Sequence, residues 1–149
     1  EEDLVMSVKR LLQGKGTFVP IISSDLALAD VVDQLEIDEA GALVVTDDNS
    51  SILGIVTERD IARGLKSHGR DVVDRPLREL MTKDVVTVDV NEPLSTVLEL
   101  MDRHQIQYVP VTEDGQLCGI INMLDLVKYR LAEIETEASA LKAYVSGSS

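Results

Sequence analysis

An internal repeat constrains this chain more than any other feature of its sequence. The first copy carries a run of apolar residues at Leu28, Val31, Val32 and Leu35. The same spacing returns 66 positions later at Leu94, Val97, Leu98 and Met101. Spacing of i, i+3, i+4, i+7 is typical of one face of an amphipathic helix, so the same helix is predicted twice. Asp25 and Asn91 are predicted to cap the two helices, with Pro93 in the first turn of the second.

Short β-rich segments surround both helices in the same order. One such run precedes each helix and a hairpin follows it, over residues 19–22, 42–56, 85–88 and 108–121. A further helix is predicted to begin near Glu58 in the first copy and near Met123 in the second. Each unit therefore reads β-α-β-β-α, and one unit alone leaves apolar surface uncovered. We expect an α/β (α+β) fold in which two repeats pack with pseudo-two-fold symmetry.

Flanking helices complete the predicted organisation. The expected division is an N-terminal helix in 1–16, repeats in 17–69 and 79–131, a linker in 70–78, and a helical extension and tail in 132–149. The N-terminal helix is placed over residues 4–13, with stop signals at Gly14 and Gly16. The linker is predicted to be polar between His68 and Pro76.

The last helix extends well past its partner in the first copy. It carries a narrow heptad-like row at Val127, Leu131, Ile134, Ala138 and Leu141. This row predicts either a helix that folds back onto the core or a helix that associates with a second chain, and so few heptads do not decide between them.

Composition excludes several classes of partner. The 27 acidic and 14 basic residues give a net charge of −13, which disfavours nucleic acids and anionic membrane surfaces. No apolar run approaches the roughly 20 residues of a membrane span. Cys118 is the single cysteine and cannot form an internal disulfide, so a cytoplasmic location is expected.

A seven-residue motif follows each hairpin, at residues 54–60 and 119–125. Both copies read glycine, two apolar residues, Thr57 or Asn122, two variable residues, then Asp60 or Asp125. One interpretation is helix capping alone. The other is a ligand site, in which the glycine at the strand end admits a ligand, the carboxylate binds a ribose diol, and the helix N-terminus binds phosphate. Arg59 either pairs with that phosphate or is a solvated surface residue.

The doubled motif resembles a tandem pair of cystathionine-β-synthase (CBS) domains over roughly residues 5–135. The helical tail over 126–145 is similar to that of stand-alone bacterial members. The resemblance implies a regulatory module with two clefts between its repeats, which bind adenosine-bearing ligands: AMP, ADP, ATP, NAD(H) or S-adenosylmethionine.

Carried over residue by residue, the resemblance makes Asp60 and Asp125 ribose ligands, with Thr57 and Asn122 beside them. It forms the adenine wall opposite Asp60 from Val86, Thr87, Val88 and residues 106–110, which include Tyr108 and Pro110. It forms the wall opposite Asp125 from Pro20, Ile21, Ile22, Gly41, Ala42 and Val44. Core packing is the alternative for each apolar member. Relatives often carry Arg or His at Gln107 and Tyr108, and no arginine matches Arg59 in the second motif, so the Asp60 cleft ranks first.

No sequence pattern supports catalysis. His68 and His104 are expected at the surface, and no cysteine or histidine spacing fits a metal. The leading hypothesis is a homodimeric, non-enzymatic sensor of an adenosyl ligand that acts on a protein partner. The alternatives are a ligand-free dimerisation or adaptor protein and, third, an enzyme with an unrecognised site.

Overall fold

The computed structural model describes residues 7–147, which begin with helix α1 (Val8–Lys15) and continue into the first repeat. That repeat contains β1 (Ile21–Ile22), α2 (Leu28–Asp38), β2 (Ala42–Val45), β3 (Gly54–Thr57) and α3 (Glu58–His68). Strand β2 lies at the centre of a three-stranded sheet, parallel to β1 and antiparallel to β3. The α2 connection between β1 and β2 is what a parallel pair requires.

The second repeat has the same order of elements. It contains β4 (Val88–Asp89), α4 (Leu94–His104), β5 (Tyr108–Glu113), β6 (Gln116–Asn122) and α5 (Met123–Gly147). Its sheet has the order β4-β5-β6, with a parallel and an antiparallel pair as in the first. Asp114 and Gly115 in the tight turn of the hairpin both have positive φ, as a type I′ turn requires. The predicted mixed fold of two β-α-β-β-α repeats is confirmed.

Each repeat builds its own core, and the flanking segments complete both. Val8, Leu11 and Leu12 of α1 belong to the buried cluster of the second repeat. In the first repeat that role falls to the segment between the repeats, which forms two short 3₁₀ helices, Gly69–Asp74 and Leu77–Glu79. Val72 and Leu77 in this segment are both fully buried, so the segment packs into the core of the first repeat.

The predicted helix boundaries need three corrections. Ala27 and Pro93, rather than Asp25 and Asn91, are the N-cap residues of α2 and α4, and Pro93 therefore precedes the first turn. Both stay extended because each forms an isolated bridge with a distant segment, Ala27 with Pro76 and Pro93 with Ser7. Helix α1 runs through Gly14 to Lys15 and ends at Gly16, while residues 4–6 of its predicted span lie outside the described residues.

The two motif glycines make room for neighbouring segments of the protein rather than for a ligand, which corrects their predicted role. Gly54 begins β3, and a Cβ there would lie 2.6 Å from Sδ of Met81 and 2.9 Å from the Thr82 carbonyl oxygen. Gly119 lies within β6, where a Cβ would be 2.8 Å from a methyl group of Leu12. Glycine is thus needed at both positions for segments that cover the sheets.

Helix α5 leaves its apolar row uncovered by the rest of the described chain. Leu131 and Leu141 are 54% and 65% exposed, and Val127 and Ile134 are also exposed. The alternative in which this helix folds back onto the core is therefore wrong. None of the helices in residues 7–147 combines the length and the hydrophobicity of a membrane span.

Candidate functional site

A cavity of about 360 Å³ lies where the N-terminus of α3 faces the second repeat, and we call it the first cleft. Its acidic and basic lining residues are Glu58, Arg59, Asp60, Arg63 and Asp84, and His104 lies beside them. The remainder of the lining is Gly41, Ile55, Thr57, Thr82, Val85, Val86, Gln105, Ile106, Gln107 and Tyr108. Both repeats and the segment before β4 therefore contribute to a single cavity.

The carboxylate of Asp60 is the buried charge of the first cleft, at 6% exposure. Its Oδ2 accepts hydrogen bonds from the Thr57 backbone N–H at 2.9 Å and from the Thr57 hydroxyl at 3.2 Å. Its Oδ1 accepts from the Thr82 hydroxyl at 3.0 Å. Thr82 reaches this position because its backbone pairs with Ile55 of β3. The predicted capping arrangement of Thr57 and Asp60 is therefore present.

Two arginines on α3 bring positive charge to the first cleft. Arg63 Nη1 lies 3.8 Å from Asp60 Oδ1, one helical turn along α3. Arg59 Nη1 donates to the Gln105 carbonyl oxygen at 3.2 Å, which links the first repeat to the second. Both guanidinium groups are held near the helix N-terminus, whose partial positive charge adds to theirs. This part of the cavity suits an anionic group.

Tyr108 lines the first cleft and also a second cavity. Its side chain lies over Gly41, so closely that a Cβ on Gly41 would overlap the phenol oxygen. Partial burial raises the pKa of the Tyr108 phenol, and the nearby negative charge of Glu58 raises it further. The phenol is thus kept as a neutral hydrogen-bond donor beside an aromatic face, a combination suited to a base that can both stack and accept a hydrogen bond.

A second cavity of about 370 Å³, the second cleft, lies at the N-terminus of α5. It is lined by Lys15, Phe18, Pro20, Asp38, Glu39, Ala40, Gly41, Ala42, Gln107, Tyr108, Ile120, Asn122, Met123 and Leu124. Asn122 and Asp125 cap α5 reciprocally, at 2.9 and 2.8 Å. Asp125 does not itself line the cavity, because Lys15 Nζ lies 2.6 Å from its Oδ2.

The structure brings together most, but not all, of the residues predicted for the two walls. Of those predicted for the first cleft, Thr57, Arg59, Asp60, Val86, Ile106, Gln107 and Tyr108 line it. Thr87, Val88 and Pro110 do not: Thr87 is exposed, while Val88 and Pro110 are buried. In the second cleft, Pro20, Gly41, Ala42 and Asn122 line the cavity, whereas Ile21, Ile22 and Val44 do not. Ile22, Val44, Val88 and Pro110 are buried, so their side chains do not reach the clefts.

Sequence reasoning missed several lining residues. Arg63 follows Asp60 by three positions, so helical spacing could have placed both on one face of α3. His104, predicted at the surface, is exposed and also lines the first cleft. Thr82 and Lys15 reach the two carboxylates from distant segments, and no local pattern indicates either contact.

A comparison with protein families identifies the two repeats. The family profile for the CBS domain matches twice, over residues 17–67 and 77–132. The chain is a tandem pair of CBS domains. The CBS-domain protein ATU1752 from Agrobacterium tumefaciens has a similar structure, with a TM-score of 0.80 and 35% identity, covering 84% of this chain and 99% of that one.

Other CBS-domain relatives differ in overall size. Inosine-5'-monophosphate dehydrogenase from Nitrosopumilus maritimus is 36% identical over 106 residues, which are 70% of this chain but 21% of that enzyme. The CBS domain pair of protein MJ0100, solved with 5'-methylthioadenosine and S-adenosyl-L-methionine, has a TM-score of 0.72 and covers 87% of this chain and 98% of its own. At 24% identity, that likeness concerns the fold.

Proposed function

We propose that this CBS pair is a regulatory module that binds an adenosyl nucleotide, AMP, ADP, ATP or NAD(H), in the first cleft. The observation that carries the proposal is the buried Asp60 carboxylate at a helix N-terminus, inside a cavity that also contains Arg59, Arg63 and Tyr108. Its volume of about 360 Å³ is within the usual range for small-ligand sites.

The contacts of Asp60 suggest how a ribose binds. A carboxylate has about four acceptor positions. Among the described residues, Thr57 donates twice to Oδ2 and Thr82 once to Oδ1, which leaves acceptor capacity on Oδ1. One ribose hydroxyl donates a hydrogen bond to Asp60 Oδ1, and the other ribose hydroxyl contacts the Thr57 hydroxyl.

The remaining groups of the first cleft fit the other parts of a nucleotide. Arg59 and Arg63 are placed to bind phosphate, because guanidinium groups bind oxyanions in two-point geometry. Val86, Ile106 and Tyr108 offer apolar and aromatic surface to adenine. The complex of protein MJ0100 with two adenosyl compounds is consistent with this ligand class and makes S-adenosylmethionine a further candidate.

As a regulatory module, the pair acts without catalysing a reaction, through a cytoplasmic protein partner and as a homodimer. Regulation requires a ligand whose affinity differs between two conformations. Within residues 7–147, no group of three or more His, Cys, Asp and Glu side chains is placed to hold a metal ion.

A second candidate is a ligand-free dimerisation or adaptor protein. The hydrogen bonds that Asp60 and Asp125 make within the chain favour it, because both carboxylates already cap helices. The exposed apolar row on α5 also suits an adaptor.

Calorimetric titration of AMP, ADP, ATP, NADH and S-adenosylmethionine against the wild type and Asp60→Ala separates the two candidates. Loss of hydrogen bonds to a charged group should weaken binding by about 1.5–3 kcal/mol. Asp60→Asn tests the charge with little change of shape, and Asp33→Ala, an exposed site on α2, is the matched control.

A thermal-shift series provides a second readout, since ligand at 100 times Kd adds about 2.7 kcal/mol of stability. Absence of binding by all five ligands favours the adaptor.

A further inference from the structure

Lys15 lines the second cleft and pairs with the carboxylate of Asp125, which does not line it. Its Nζ lies 2.6 Å from Asp125 Oδ2 and 2.6 Å from the Ile120 carbonyl oxygen. The two side chains are only 27% and 15% exposed, so solvent screens this ion pair less than a surface pair. Lys15 is held there by α1, whose Leu12 packs over Gly119 in the neighbouring strand.

The first cleft has a neutral group in the corresponding place. Thr82 donates its hydroxyl to Asp60 and bonds Ile55 through its backbone, and Ile55 is the counterpart of Ile120. The cation near Asp60, Arg63, is 3.8 Å away and 66% exposed. Both carboxylates accept charge-assisted hydrogen bonds, but only Lys15 also brings a full positive charge to 2.6 Å from its carboxylate oxygen. Releasing Asp125 from Lys15 is therefore more costly than releasing Asp60 from Thr82.

We infer that Lys15 determines the specificity of the second cleft: it admits adenosyl ligands that carry a phosphate and rejects neutral ones. This inference rests on the proposed function. A neutral nucleoside that binds Asp125 must displace the ammonium group and leaves it without an anionic partner. A nucleotide phosphate gives Lys15 a new anion, so the exchange conserves the number of charge-assisted hydrogen bonds.

The other charged residues of the second cleft make this dependence stronger. Asp38 and Glu39 both line it, and Lys15 is the one basic residue among the described residues that do so. A phosphate in this cavity is repelled by both acidic side chains, and contact with Lys15 offsets that repulsion. The first cleft has Arg59 and Arg63 for the same purpose, so its phosphate affinity does not depend on Lys15.

The test uses variants in which ligand binding in the first cleft is weakened by Asp60→Ala or, if that variant is unstable, by Asp60→Asn. Adenosine and AMP are titrated calorimetrically into this background with Lys15 intact, with Lys15→Met and with Lys15→Arg. With Lys15 intact, AMP should bind at least about tenfold more tightly than adenosine, which corresponds to about 1.4 kcal/mol. Lys15→Met should tighten adenosine binding by about the same factor and abolish the preference for AMP. Lys15→Arg should keep the preference.

Lys9→Met removes a cation from an exposed position of the same helix and should change neither affinity. Adenosine binding that appears only in Lys15→Met also supports the inference. Equal affinities of adenosine and AMP with Lys15 intact, or affinities that do not change in Lys15→Met, overturn the inference about Lys15. In either case, binding in the first cleft of the wild type still supports the proposed function. Absence of binding in the wild type overturns the proposed function itself.

Discussion

Tyr108 of the second repeat lies directly over Gly41 of the first, and both residues line both clefts. The contact is possible because Gly41 has no Cβ to meet the phenol oxygen. Glu58 and Met123, which begin the two equivalent helices, bond the carbonyl oxygens of Gly41 and Gln107, respectively. Gly41 and Tyr108 therefore form part of a wall that the two cavities share, and a change in this wall should affect both of them.

Gly41→Ala should displace the Tyr108 side chain. We expect the free energy of unfolding to fall by about 1–3 kcal/mol, the usual cost of inserting atoms into a packed contact. Adding Tyr108→Phe removes the overlapping oxygen and should restore part of that loss, so the double-mutant cycle should show coupling between the two sites. Gly14→Ala is the control, since a Cβ there meets nothing within 4 Å. Additive effects of the two substitutions in denaturant melts would contradict this contact.

Thr82→Val tests whether the segment before β4 competes for the carboxylate of Asp60. Loss of one hydrogen bond to a buried acceptor should lower the free energy of unfolding by about 1 kcal/mol. Nucleotide affinity should rise about fivefold, because Oδ1 gains an acceptor position that a ribose hydroxyl can use. Thr82→Ser keeps the hydroxyl and should match the wild type in both measurements. A weaker rather than tighter complex in Thr82→Val would show that Thr82 instead holds the carboxylate in its binding position.

Alkaline titration should reveal the environment of Tyr108. Its pKa is raised by partial burial and by Glu58, so the neutral phenol is favoured in the folded state. This contribution to stability is complete below the unfolded-state pKa of about 10 and is lost as the pH rises through the higher folded-state pKa. The unfolding free energy of Tyr108→Phe should therefore fall less over that window than that of the wild type. The tyrosinate absorbance of the wild type minus that of Tyr108→Phe should titrate above pH 10, and Glu58→Gln should reduce the shift.

The repeat made most of the fold predictable, because local patterns decide where its helices and hairpins lie. The starts of α3 and α5 were predicted at Glu58 and Met123, where Thr57 and Asn122 cap them through side chains three residues apart. The N-caps of α2 and α4 were not, since bridges to distant segments hold Ala27 and Pro93 extended.

In the candidate site too, contacts within one helical turn are predictable from the sequence and contacts with distant segments are not. Thr57, Arg59 and Asp60 lie within one helical turn, so a sequence motif can specify their arrangement. Lys15 contacts a residue 110 positions away, and its contact follows from α1 covering the sheet of the second repeat. An isolated lysine at a helix C-terminus gives no indication of such a partner, because basic residues are favoured there in any helix.

The last prediction concerns the oligomeric state, because α5 carries an exposed apolar row. A helix of 25 residues is roughly 37 Å long, and its apolar row stays exposed in the single chain. If this row pairs with a second copy, Leu131→Glu should weaken the dimer by at least about 2 kcal/mol, roughly 30-fold in the dissociation constant. Thr136→Glu places the same charge on the opposite side of α5 and should leave association unchanged. Sedimentation equilibrium measures both. A wild type that stays monomeric, or equal effects of the two charges, would mean that the row does not form the dimer interface, because association through one helix face must depend on which face carries the charge.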